Sequence, residues 1–224
     1  MQFRDRKAAG RILAESIKQS IGALPGLANG LVLALPRGGV PVAFEVAQAL
    51  GLPLDVLVVR KLGAPGQREL AMGAITGDGT VALNQDVLQE LHIRDDIVQS
   101  VIKREREHAE HQEQLYRRGL PPLTLEGRAV ILVDDGLATG ATMRAAVRAV
   151  RPRSPKVIAA VPVGAIEACS ELANEADLVV CPHTPIPFGA VGQFYRNFEP
   201  TSDEEVSRLL AQAHTGSSGS LAPT

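Results

Sequence analysis

Apolar and polar positions alternate along the chain between short, continuous apolar runs and longer amphipathic stretches. Residues 5–21 repeat apolar side chains at helical spacing, with Ala8/Ala9, Ile12/Leu13, Ile17 and Ile21 on one side, which predicts an amphipathic helix. Pro25-Gly26 and Asn29-Gly30 mark the turn after it. Residues 31–35 form an apolar run of strand length, broken by Pro36-Arg37-Gly38-Gly39. Residues 40–50 then read as a helix and 54–59 as a second strand, an order that predicts a parallel pair. Residues 60–69, with Gly63, Pro65 and Gly66, predict a mobile loop, and 71–76 with 79–83 a short hairpin around Gly77-Asp78. A short helix over 86–91 and a long charged helix over 95–118 follow, the second stopped by Gly119-Leu120-Pro121-Pro122. Further strands are predicted at 129–133, 156–163 and 177–181, and helices at 140–150, 165–173 and 203–211. The pattern predicts one α/β domain over 1–212, with a doubly wound, mainly parallel sheet covered on both faces. Residues 213–224, ending in Thr-Gly-Ser-Ser-Gly-Ser-Leu-Ala-Pro-Thr, predict a disordered tail.

Composition narrows what such a domain would do. The 224 residues are 45% apolar and carry a net charge of -2, which excludes a disordered chain and gives no bulk attraction for nucleic acid. No apolar run reaches the roughly 18–20 residues a membrane helix needs, and the charged start is unlike a signal core. A cytoplasmic protein with no nucleic-acid or membrane partner is expected. Cys169 and Cys181 form no CxxC pair and read as small buried apolar residues in a reducing compartment. His108 and His111 stand three apart within the charged run 103–111, which reads as a solvated helix face. Aromatic residues are only 3% of the chain, yet Phe188, Phe194, Tyr195 and Phe198 fall within eleven residues.

The candidate chemistry concentrates in residues 130–142, Val-Ile-Leu-Val-Asp-Asp-Gly-Leu-Ala-Thr-Gly-Ala-Thr. Here a strand ends in two adjacent acids, Asp134 and Asp135, and a loop of small residues opens a helix. Small residues allow backbone amides to close around a phosphate, and a helix N-terminus adds partial positive charge. Thr139 and Thr142 add hydroxyl donors. The carboxylates suit ribose hydroxyls, or a Mg²⁺ shared with a polyphosphate. Phosphate on one side and a diol on the other describes a 5-phosphorylated ribose.

Segment 130–142 resembles the 5-phosphoribosyl-1-pyrophosphate (PRPP) motif of type I phosphoribosyltransferases. The whole chain is similar to a bacterial group of such proteins of unassigned substrate, marked by Asp5-Arg6, the run 35–41 (Leu-Pro-Arg-Gly-Gly-Val-Pro), the run 59–63 (Val-Arg-Lys-Leu-Gly) and the PRPP motif. The resemblance implies the type I fold with a small hood, built from the N-terminal helix and about 182–200. It implies an enzyme that transfers phosphoribose from PRPP to a nitrogenous base with Mg²⁺, releasing pyrophosphate; the alternative is a non-catalytic regulator that binds PRPP or a nucleotide. Carried over residue by residue, Asp134 and Asp135 would hold the ribose diol and Mg²⁺. Gly136, Leu137, Ala138, Thr139, Gly140, Ala141 and Thr142 would hold the 5′-phosphate. Arg37, Gly38 and Gly39 would contact pyrophosphate in a loop that in several relatives contains a non-proline cis peptide. Arg60 and Lys61 begin a segment similar to the closing loop of adenine enzymes and would neutralise the leaving group. Phe188 or Tyr195 would stack on the base. Ala138 stands where 6-oxopurine enzymes carry an acid. The long helix 95–118 is a candidate homodimer interface.

Overall fold

The computed structural model describes residues 1–21, 27 and 29–217. Pro25-Gly26 and residues 218–224 lie outside the described residues. The elements are α1 (Arg6–Ile21), β1 (Leu31–Ala34), α2 (Gly39–Leu50), β2 (Leu54–Val56), β3 (Val59–Ala64), β4 (Gln67–Thr76), β5 (Val81–Leu83), α3 (Gln85–Glu90), α4 (Asp95–Tyr116), β6 (Ala129–Val133), α5 (Ala141–Val150), β7 (Lys156–Ala160), α6 (Ile166–Leu172), β8 (Leu178–Val180) and α7 (Asp203–Ser217). Helix α7 passes residue 212, where composition places the start of a tail, and Ala213 packs against the same core as Val206, Leu209 and Leu210. No described helix is long and apolar enough to cross a membrane.

Five strands form a parallel sheet in the order β2-β1-β6-β7-β8. The uninterrupted apolar runs have a direct cause: successive side chains of one strand enter different cores. Val32, Ala34, Ile131, Val133, Ile158 and Ala160 pack with α1, α2 and α7 on one face. Leu31, Leu33, Val130, Leu132, Val157 and Ala159 pack with α5 and α6 on the other. Each fully buried Leu or Ile removes enough apolar surface from water to contribute about 1.5–3 kcal/mol.

Residues 60–69 are not the loop that Gly63, Pro65 and Gly66 suggest. They supply β3 and the start of β4, which with β5 make a three-stranded antiparallel sheet. Leu62, Met72 and Ile75 from this flap bury against Val98, Val101 and Ile102 of α4, and that packing stabilises the strands. Gly63 sits at a register irregularity, and Gly66 turns with φ +72°. The apolar stripe of α4 is thus used inside the chain. Arg117, just after α4, donates to both carboxylate oxygens of Asp55 in β2, at 2.9 and 3.0 Å. The Tyr116 hydroxyl donates to Asp203 at the start of α7 at 2.5 Å. These contacts fix the helix that carries the flap onto the main sheet.

The flap is tied at its other end through the turn between β4 and β5. Asp78 accepts from the Thr76 hydroxyl at 2.5 Å, from the Thr80 amide at 3.1 Å and from Arg153 at 2.6 Å. Burial alone would raise the Asp78 carboxyl, but these donors outweigh it and hold it down at about 2. A carboxylate held below its unfolded value of about 3.9 contributes stability above that value and loses it as pH falls towards the folded one. The Asp78→Asn variant should therefore be less stable than wild type at pH 7 in urea denaturation, with the difference shrinking between about pH 4 and pH 2. An equal difference at both ends of that window would contradict the role given to this carboxylate.

Candidate functional site

Strands β1 and β6 are neighbours in register, Ala34 beside Val133, so the loops that follow them meet at the carboxyl end of the sheet. The Leu35 amide donates to the Val133 carbonyl at 2.9 Å and continues the pairing into the loop. The Pro36–Arg37 peptide is cis. Gly38 and Gly39 then lie directly on the two acids. A Cβ at Gly38 would overlap the Asp135 carboxylate, and one at Gly39 would stand 2.6 Å from the Val133 carbonyl oxygen and 2.9 Å from the Asp134 Cα. The two glycines are therefore set by close approach of one loop to the other.

Asp134 Oδ1 accepts from the amide of Asp135 at 2.8 Å. Asp135 Oδ2 accepts from Arg6 Nε at 2.8 Å, and only 11% of the Arg6 side chain and 15% of the Asp135 side chain are exposed. Arg6 also donates to the Glu199 carbonyl at 2.7 Å and lies 4.0 Å over the Phe198 ring. The Tyr195 hydroxyl donates to the Asp135 carbonyl oxygen at 2.6 Å. Burial drives the Asp134 carboxyl well above the usual carboxylate range, and repulsion from Asp135 adds to it. Burial also raises Asp135, with Arg6 opposing. Two crowded, poorly hydrated carboxyls are an acceptor for neutral hydroxyls or for a cation.

The loop after the acids divides into two parts. Leu137 is buried in the core, its amide donates to the Val163 carbonyl at 2.9 Å, and its carbonyl accepts from Ala165 at 2.8 Å. That amide is already engaged, which removes Leu137 from the phosphate-binding set that the motif implies. Ala138, Thr139 and Thr142 are exposed, and Gly140 precedes α5 at φ +73°, a conformation that disfavours any residue with a Cβ. Gly136 packs so tightly on Val191 that a Cβ there would overlap its side chain.

Arg60, Lys61, Arg104, Glu105 and Thr142 line an open cleft of about 640 Å³ between the flap, α4 and the start of α5. Arg60 and Lys61, placed here by β3, thus share an opening with the small-residue loop. Arg60 donates to Glu105 at 3.0 and 3.1 Å. Arg37 is half exposed and lies 3.8 Å from Asp203, so its guanidinium is turned towards α7.

The aromatic segment forms its own small core. Phe3, Ala9, Val163 and Tyr195 are buried, with Phe188, Val191, Phe194 and Phe198 packed around them. Phe3 is stitched in by its amide to the Phe194 carbonyl at 2.8 Å and by the Arg196 amide to its own carbonyl at 2.9 Å. Tyr195 is 4% exposed, so its ring belongs to this core and is not presented to a base. Phe188 is half-buried and stacks on Phe194 with centroids 5.3 Å apart. Cys169 and Cys181 are half-buried, not buried, and their sulfurs flank Gly164.

Arg6 is the site residue that residue-level reading leaves without a role. At the start of an amphipathic helix it reads as one more solvated charge, and only its place in the Asp5-Arg6 mark singles it out. The close approach of the glycine loop has a measurable consequence. Gly39→Ala, whose Cβ would press on backbone atoms, should lower stability by about 1–3 kcal/mol in chemical denaturation. An unchanged midpoint would contradict the packing described here.

Comparisons with known proteins identify the family. A family model described as the phosphoribosyl transferase domain matches residues 74–194. A Mycobacterium tuberculosis protein named for phosphoribosyl transfer is 49% identical over 213 residues, which is 95% of this chain and 47% of the relative. The chain thus spans about half the length of the curated relatives it matches. The crystal structure of TT1426 from Thermus thermophilus superposes with a TM-score of 0.86 at 42% identity, covering 95% of this chain and 99% of that one. By the family match over more than half its length, the chain belongs to the phosphoribosyl transferase domain family.

Proposed function

We propose that the chain transfers the 5-phosphoribosyl group from PRPP to a nitrogen of a small base, with Mg²⁺, and releases pyrophosphate. The observation that carries this reading is the junction of β6 and α5. Two crowded acids there, Asp134 and Asp135, are followed by a loop that exposes Ala138, Thr139 and Thr142 beside the cations of the flap. In this reading the carboxylates accept hydrogen bonds from ribose O2′ and O3′. Ala138, Thr139, Gly140, Ala141 and Thr142 receive the 5′-phosphate at the N-terminus of α5, where helix partial charge and hydroxyls favour an anion. Arg60 and Lys61 face the pyrophosphate from β3, and the Gly38-Gly39 backbone approaches it from the other side.

The reaction follows from that placement. The C1′–O bond breaks with its electron pair leaving on pyrophosphate. A lone pair on the base nitrogen forms the C1′–N bond from the opposite face, which inverts C1′, and the nitrogen's surplus proton is released. Positive charge develops on the ribose while two fixed carboxylates hold its hydroxyls, which is electrostatic stabilisation without reorganisation. Closing of the flap over the cleft would exclude water that would otherwise hydrolyse PRPP.

Among the described residues no three or more His, Cys, Asp and Glu side chains form a metal cage. Two neighbouring carboxylates do fit magnesium that arrives with the substrate, since this ion is commonly held by one or two carboxylates and substrate phosphates. When bound, it would supply charge neutralisation for the leaving pyrophosphate.

The test is pyrophosphate release from PRPP and Mg²⁺ across a panel of free bases, with new nucleotide followed by mass. Wild type should release pyrophosphate with at least one base, and Asp134→Asn should lower turnover by about a hundredfold while remaining folded. Wild-type-like turnover in the variant would sink the role given to Asp134. Binding of PRPP with no release for any base would instead favour a regulator.

A further inference from the structure

We propose that Arg6 is a positioning residue of the PRPP site: it fixes the second acid, Asp135, and fastens the aromatic hood to that same carboxylate. The proposal rests on the PRPP reading above and names a part of the site that lies outside the motif. Its basis is the set of contacts made by one guanidinium. Arg6 Nε donates to Asp135 Oδ2 at 2.8 Å, a second nitrogen donates to the Glu199 carbonyl at 2.7 Å, and the cation lies 4.0 Å over Phe198. Glu199 and Phe198 belong to the segment that follows the hood's short helical turn, and the hood returns to the same acid through the Tyr195 hydroxyl on the Asp135 carbonyl. Asp135 is therefore held at its side chain by α1 and at its backbone by the hood.

The arrangement is built, because the N-terminus is tied down on both sides of Arg6. Asp5 accepts from the Ala8 amide at 2.8 Å and caps α1, and the Asn197 amide donates to the Arg4 carbonyl at 3.0 Å. Phe3 is buried between Tyr195 and the core. A long side chain anchored this way loses little further freedom on pairing. With Oδ2 committed to Arg6, Asp135 presents a single fixed oxygen to a ribose hydroxyl. A carboxylate beside another carboxylate would otherwise rotate to separate their charges. Arg6 holds it in place and offsets the repulsion from Asp134. The N-terminal helix thereby becomes part of the site.

The experiment measures PRPP affinity by calorimetry, with Mg²⁺ present, for wild type, Arg6→Met, Arg6→Lys, Asp135→Asn and Arg6→Met/Asp135→Asn. Arg6→Met should weaken binding by roughly 10- to 100-fold, the range for losing a charge-assisted hydrogen bond to a partly buried group. Arg6→Lys should recover a substantial part of that loss. In the Asp135→Asn background, Arg6→Met should change affinity by less than about threefold, since interacting residues are not additive. A loss of equal size with and without the Asp135 carboxylate, or no recovery with lysine, would overturn the proposal and leave Arg6 as an anchor of the hood only. A second readout needs no ligand. The Nε–H proton resonance of Arg6 should move when Asp135 is replaced by Asn, and an unmoved resonance would overturn the proposal by itself. Wild type that binds no PRPP while this resonance does move would instead refute the functional reading.

Discussion

Two carboxylates placed side by side at the end of a buried strand repel each other and lose hydration, and much of the structure around β6 answers that problem. Asp134 is held by the amide of Asp135, and Asp135 by Arg6. The loop after β1 can lie against both acids only because its residues 38 and 39 have no side chains. The parallel sheet supplies the frame: β1 and β6 run side by side, so their trailing loops reach the same carboxyl end without further support. Raised carboxyls of this kind are poor surface features and good acceptors for a ligand that brings hydroxyls or a cation.

Around this centre three other parts are arranged at different distances in sequence. The flap, residues 59–83, carries Arg60 and Lys61 to the opening beside Thr142, and α4 supports it from behind through Leu62, Met72 and Ile75. The aromatic cluster built on Phe3 and Tyr195 meets the second acid through the Tyr195 hydroxyl, which donates to the Asp135 carbonyl. Arg117 and Asp78 join the flap and α4 to the sheet by ion pairs to Asp55 and Arg153, so the flap has fixed ends. The low aromatic content takes on a specific meaning here. Five of the seven aromatic residues, Phe3, Phe188, Phe194, Tyr195 and Phe198, pack into one small cluster beside the acids.

The parts of this design that are legible in the sequence are the local ones. The run 130–142 announces strand, acids, small-residue loop and helix because all four are consecutive, and Gly38-Gly39 stands out because glycine pairs are read without a partner. Features that depend on distant partners are not legible. Arg6 lies 129 positions before Asp135, and its charge looks like surface until the chain folds. Leu137 sits inside the motif, yet its amide is committed to Val163, which only the pairing of that loop with the segment after β7 reveals. Tyr195 is a candidate for stacking on a base by its ring alone, but its neighbours bury it. Residues 60–69 read as a loop because Gly and Pro punctuate them, while the strands there depend on packing against α4, a helix that begins well downstream.

The proposed phosphoribose site lies at the carboxyl end of β1 and β6, between their trailing loops. Calorimetric titration of the full chain with PRPP in the presence of Mg²⁺ tests it most directly, followed by competition with ribose 5-phosphate. The expected result is saturable binding of one PRPP per chain, displaced by ribose 5-phosphate. No binding, or binding that ribose 5-phosphate fails to displace, would contradict it.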